Sequence, residues 1–309
     1  MDDLVEEAMS RPDTLRPLVP AVAGNVAGFA ATYRFDFDAA HRLFEWAAPY
    51  QERVGPFATV YARCFAGIAA RHQLDIPGAL RRFREGYEIG VQVGPHSHAA
   101  RLAGALLGEL LYDTGDFAEA ASLLDESSQL GPEGGGTDYL AARYVVGARI
   151  KAANGNRDAA VNRLAAGMQV ATQLRLPRLA AAINNERIRL GIPIAEAVAA
   201  RLRSSRYIRR GGDGIATVTA ELDEDSGIRL LSSSSAADDR ELACARAASL
   251  LAGIDPRQRP LAALRAQVLV AETLSAAGRA ADARNELGLI RALCDQHGLP
   301  QLLLDARVG

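Results

Sequence analysis

Residues that could do chemistry are sparse in this sequence, and most stand at spacings that suit packing. A phosphate-binding loop needs G-x-x-x-x-G-K-[ST], with the lysine reaching the phosphates. Lys151 is the only lysine among 35 Lys and Arg side chains, and it lies in VVGARIKAANG, at mid-helix, without that loop. A protein kinase needs a β3 lysine and an H-R-D loop; His41-Arg42-Leu43 is no such loop. The glycine-rich stretch Pro132 to Gly136 carries no lysine and reads as a connector. G-x-S-x-G, H-E-x-x-H and C-x-x-C do not occur. His96 and His98 have H-x-H spacing, but side chains at i and i+2 diverge on a helix and no Cys or acid cluster accompanies them. They read as solvated residues at a helix start. Ser232 to Ser235 precede an acidic turn and read as a linker, with phosphorylation as the sharper alternative. No catalytic residue, metal site or cofactor is expected in this stretch.

Composition sets the class of protein. The chain has 309 residues, 49% hydrophobic and 23% charged, enough for a sizeable core. Aromatics make up only 6%, while Ala and Leu abound, which predicts closely packed helices in place of aromatic-rich sheets. Cys64, Cys244 and Cys294 are odd in number and far apart, so they suit a reducing cytoplasm better than a disulfide framework; Cys64 and Cys244 read as small core residues. Arg81-Arg82-Phe83-Arg84 and Arg206 to Arg210, with Tyr207 as a stacking group, are local basic clusters. The net charge of −2 argues against nucleic acid. No apolar run of about 18 residues exists to span a membrane, and the acidic start Met1-Asp2-Asp3 is not a signal peptide.

The elements that would position any site recur along the chain. LAGALLGELLYDTGDFAEAASLLDESSQLGP, from Leu102 to Pro132, reads as two amphipathic helices around the turn Thr114-Gly115-Asp116. Leu107-Gly108, Leu111, Ala120, Leu124 and Pro132 follow the spacing of the tetratricopeptide repeat. Gly108 and Ala120 are small where two helices would cross closely, Gly115 supplies the turn, and Pro132 ends the second helix. Equivalent turns at Asp36, Asp75, Asp116 and Asn156 stand 39, 41 and 40 residues apart, and Gly278-Arg279 lies three further periods on. Gly191-Ile192-Pro193 and Ala237-Asp238-Asp239 are candidates for the turns between.

The expected fold is therefore all-α: a right-handed superhelix of about seven helical hairpins of roughly 40 residues, each leaning on its neighbours. First helices are predicted near 14–33, 57–73, 97–114, 138–154, 178–190, 214–233 and 259–277. Second helices are predicted near 37–53, 77–92, 117–129, 157–174, 194–204, 238–252 and 280–297. Asp13, Asp138, Asp213 and Asp238 are candidate N-caps. Ile215 to Thr219 is β-branched enough to pass for a strand; Ile215, Val218 and Leu222 at helical spacing favour a helix. Residues 1–13 read as the remnant of a preceding helix, 14–297 as the repeat domain and 298–309 as a tail, which suggests a piece of a longer array.

Long hairpins, the Ala/Leu/Arg-rich composition, and turns such as YDTGDFAEA and KAANGNRDAA resemble the superhelical sensor arm of the MalT-like, LuxR-type signalling ATPases. The resemblance covers about 14–297. It extends to a kinase-linked form, in which such an ATPase and arm follow a serine/threonine kinase domain. The LuxR-type helix-turn-helix is absent from this stretch, which leans towards the kinase-linked form. The resemblance implies that the arm binds a protein, a peptide or a small-molecule inducer and restrains upstream catalytic domains of the same chain, with ATP belonging to those domains. In a helical solenoid the first helices line the concave face. First-helix positions left over from packing are Asn25, Tyr33, Tyr61, Arg71, His72, Glu109, Tyr112, Asp113, Arg149, Asn185 and Arg189. Tyr, Arg and Asn there would offer aromatic anchors and forked donors to a ligand. The alternatives are a free-standing scaffold, or the arm of a LuxR-type transcriptional activator.

Overall fold

The computed structural model describes residues 2–129, 136–205 and 213–306, and every regular element among them is helical. The order is α1 (Asp2–Ser10), a 3-10 turn (Pro12–Thr14), α2 (Leu18–Tyr33), α3 (Phe37–Val54), α4 (Pro56–His72), α5 (Ile76–Val93), α6 (His98–Thr114) and α7 (Phe117–Ser127). Then come α8 (Thr137–Ala141), a π-helical segment (Ala142–Val146), α9 (Gly147–Ala153), α10 (Arg157–Gln173), α11 (Pro177–Arg189) and α12 (Glu196–Ser204). The chain continues through α13 (Gly214–Ser232), α14 (Ala237–Ala252), α15 (Pro260–Ala276), α16 (Ala280–His297) and α17 (Pro300–Leu304). Consecutive helices pack in pairs, the arrangement of an α-solenoid.

The repeated turn has a simple construction. Phe35, Leu74 and Gly115 take positive φ, at 62°, 61° and 93°. The residue after each, Asp36, Asp75 or Asp116, donates its backbone N–H to the carbonyl five residues back, at 3.0, 2.9 and 2.8 Å. Its carboxylate then accepts from the N–H of Ala39, Gly78 or Glu119. One aspartate thus helps close one helix and caps the next. Asn156 does the same after Gly155.

Other expected caps fall differently. Asp213 accepts from the N–H of Ala216 and caps α13. Asp13 lies inside the 3-10 turn. Asp138 and Asp238 sit at the second positions of α8 and α14, behind Gly136 and Ala236. The β-branched stretch at Ile215 is helical: the hydroxyls of Thr217 and Thr219 donate to the carbonyls four residues back, at 2.8 and 2.7 Å. Their side chains are thereby satisfied within the helix. Pro132, the glycine-rich connector up to Gly135, and Arg206 to Arg210 with Tyr207 lie outside the described residues.

Within pairs, a glycine of the first helix meets a large side chain of the second. A Cβ on Gly67 would stand 2.4 Å from Phe83, and one on Gly108 would stand 2.9 Å from Leu124. Between pairs the expectation of neighbour-only contact fails, because the array folds back on itself. Val60, Leu106 and Leu110 share one core with Leu261, Leu264 and Val268 of α15 and with Ile290 and Cys294 of α16. α17 packs on α6. Gly214 abuts the carbonyl of Tyr33 with no room for a Cβ, and Arg259 lies over the Phe35 ring, 4.0 Å from its centroid.

Candidate functional site

The fold-back lines a partly open lumen of about 270 Å³. Among the described residues, six arginines and seven carboxylates line it. Of the residues expected on the concave face, Tyr33, Arg71, His72, Glu109, Asp113, Arg149, Asn185 and Arg189 are on its wall. Tyr112 is buried beside it, with its hydroxyl on Asp305 at 2.9 Å. Two others are placed elsewhere. Asn25 accepts a hydrogen bond from Gln51 of α3 at 2.8 Å. Tyr61 joins an aromatic cluster with Phe57, Phe65 and Tyr139.

The lumen also holds residues that sequence reasoning missed, and the repeat period was the available signal. Glu109, Arg149 and Arg189 stand 40 apart, and the next member is Arg229. Asn185 leads by the same step to Asp225 and Arg265. Asp138 leads to Arg178. Asp305 has no such signal, because it comes from beyond the repeats.

Charges on the wall are tightly paired. Arg71 bridges Glu109 at 2.9 Å and Asp113 at 2.6 Å. Arg149 forks onto Glu186, through Nε at 3.0 Å and Nη2 at 2.6 Å, and its Nη1 reaches Asp305 at 3.3 Å. Asp305 also accepts from Gln301 at 2.6 Å, so the C-terminal segment inserts a carboxylate into the arginines of the lumen. Arg178 donates to Asp138 at 2.9 Å and lies over the Tyr33 ring, while the Tyr33 hydroxyl donates to the same carboxylate. Arg229 holds Asp225 at 2.6 Å and Glu272 at 2.8 Å.

Burial pushes the Asp138 and Glu186 carboxyls up, but Arg178 acting on the first, and Arg149 with Arg189 on the second, outweigh it; both pKa values lie below the ordinary carboxylate range. Burial lowers His72 to about 3, against the pull of Asp138 and with the help of Arg71, Arg265 and Arg178, so the imidazole is neutral. Burial likewise pushes the Cys64 thiol up to about 12. What the lumen offers is a set of fixed, charge-assisted donors and acceptors.

Outside the lumen the other candidates take ordinary places. The His98 ring lies 6.0 Å from Phe57, and the described residues contain no group of three or more His, Cys, Asp or Glu fit to hold a metal. Arg82 and Arg84 pair with Asp75 and Glu119. Ser234 donates to Asp239 at 2.6 Å. No described helix is long and apolar enough to cross a membrane.

No family model matches the chain. Over 306 residues it is 60% identical to the protein named Serine/threonine-protein kinase PknK in Mycobacterium tuberculosis, and equally to that of Mycobacterium bovis. The alignment takes in 99% of this chain and the C-terminal 27% of each relative. The chain thus spans about a quarter of the length of the curated relatives it matches.

Proposed function

We propose that this chain is the regulatory region of a longer serine/threonine protein kinase, and that its lumen senses a ligand whose binding biases the remote catalytic domain. One observation carries the reading: 60% identity, along essentially the whole chain, to the C-terminal part of proteins named as such kinases. The lumen supports the sensing part. It concentrates donors and acceptors on the inner face, and the two sides of the array meet there where α15 packs on α4 and α17 on α6. A ligand shifts such an arrangement only if it binds the closed and the opened states with different affinity. ATP belongs, in this reading, to domains outside the stretch, and the partner is the upstream part of the same chain.

The test is the size and activity of the native polypeptide. An antibody raised against this chain is used to blot source-cell lysate and to precipitate the protein for a phosphotransfer assay. The proposal expects a band several times larger than 32.8 kDa, with kinase activity in the precipitate. A band at 32.8 kDa identifies a free-standing scaffold. A large band without phosphotransfer points to the arm of an ATPase activator.

A further inference from the structure

Arg265 stands apart from the other lumen arginines. It projects from α15 onto the cavity wall and makes neither an ion pair nor a hydrogen bond among the described residues. Every described carboxylate on that wall is already bonded to an arginine: Glu109 and Asp113 to Arg71, Asp138 to Arg178, Glu186 and Asp305 to Arg149, Asp225 and Glu272 to Arg229. Although seven carboxylates face six arginines on that wall, Arg265 is the arginine there that lacks a carboxylate partner among the described residues. Arg71 also has a buried Nε–H with no acceptor among the described residues.

Water reaches Arg265, which is exposed to the cavity, yet protein surrounds it. Burial lowers its pKa to about 10, with Arg71 and Arg149 repelling it and Asp113 and Glu109 drawing it the other way. An anion seated there would offset the repulsion that Arg71 and Arg149 exert on Arg265. The lumen, at about 270 Å³, is many times the ~10–15 Å³ that one water needs.

We propose that the lumen binds a small oxyanion, a phosphate or carboxylate group, seated on Arg265 beside Arg71. The forked guanidinium suits either group, because both present paired oxygens. The inference rests on the sensing role argued above and supplies its ligand class.

The test uses the whole 309-residue chain in a buffer free of oxyanions, with ionic strength held by sodium chloride. Inorganic phosphate, succinate and glucose are titrated calorimetrically into the unaltered protein and into Arg265→Gln and Arg257→Gln. Arg257 is exposed and lies outside the lumen. Phosphate or succinate is expected to bind, and which of the two binds tells the phosphate source from the carboxylate source. Arg265→Gln should weaken that binding at least ten-fold and leave the melting temperature of the ligand-free protein unchanged or higher; Arg257→Gln should change nothing. Absence of binding by both oxyanions, or equal binding by Arg265→Gln, overturns the proposal. Binding of glucose alone overturns the oxyanion class and leaves the sensing role standing. Oxyanion binding that leaves the activity of the full-length kinase chain unaltered sinks the sensing role while the site remains.

Discussion

At the scale of single residues the lumen is held by pairs whose members depend on each other. Glu186 has a side chain 1% exposed and is neutralised chiefly by Arg149, with Arg189 at 3.7 Å. Removing one partner of a buried pair strands the other, at a cost of about 3–5 kcal/mol. Arg149→Met should lower stability by that order in urea denaturation, and adding Glu186→Gln should restore part of it. His72 gives a pH signature. Its folded pKa of about 3 lies below an unfolded value of roughly 6.5. Between those values the unfolded state takes up a proton that the native state refuses. Stability should therefore fall as pH drops from about 6.5 towards 3, by at most ~1.4 kcal/mol per pH unit. His72→Gln should flatten that window in thermal melts. It should leave the loss below about pH 4, where Asp138 and Glu186, depressed in the folded state, become protonated and lose their stabilisation.

At the scale of elements, the turns explain why so much was legible. A positive-φ residue followed by Asp or Asn is a local device, so Phe35-Asp36, Leu74-Asp75 and Gly115-Asp116 mark their hairpins without reference to the rest of the chain. Asp116→Ala should cost about 1 kcal/mol through the lost cap. The same locality made the inner face readable, since first-helix register placed Tyr33, Arg71 and Arg149 on one side. It misplaced Asn25 and Tyr61, because register says which side a residue faces and not which neighbour covers it. The fold-back was not legible at all. Tyr33 meets Asp138, and His297 meets the Leu74 carbonyl at 3.2 Å, across 105 and 223 residues, and no local pattern records such pairs. Gly214 tests that contact directly. Gly214→Ala would press a methyl into the Tyr33 carbonyl and should cost ~1–3 kcal/mol in urea denaturation. An unchanged midpoint would deny that α13 meets α2 as described.

At the scale of the molecule, a tandem array has become a closed body. Neighbour-only solenoids lose stability roughly repeat by repeat when shortened. Here the end of the chain buries residues on α4 and α6, so its loss should be felt at the other side of the lumen. A chain ending at Gly298 lacks Gln301 and Asp305, and with them the acceptor of the Tyr112 hydroxyl and one partner of Arg149. Amide exchange in α6 should quicken in that variant, while α12, remote from the closure, keeps its protection.

Under the regulatory reading proposed above, opening and closing of the lumen would couple it to a catalytic domain outside this stretch. Asp305→Asn weakens the hold of the arginines on the tail and leaves the repeat turns untouched. The most direct measurement is autophosphorylation by the full-length parent chain, with and without the Asp305→Asn substitution, beside a chain lacking this whole stretch. A change of several-fold in rate, in the same direction for Asp305→Asn and for the deletion, is the result expected of a regulatory region that acts through its closed state. Equal rates in all three chains would contradict it.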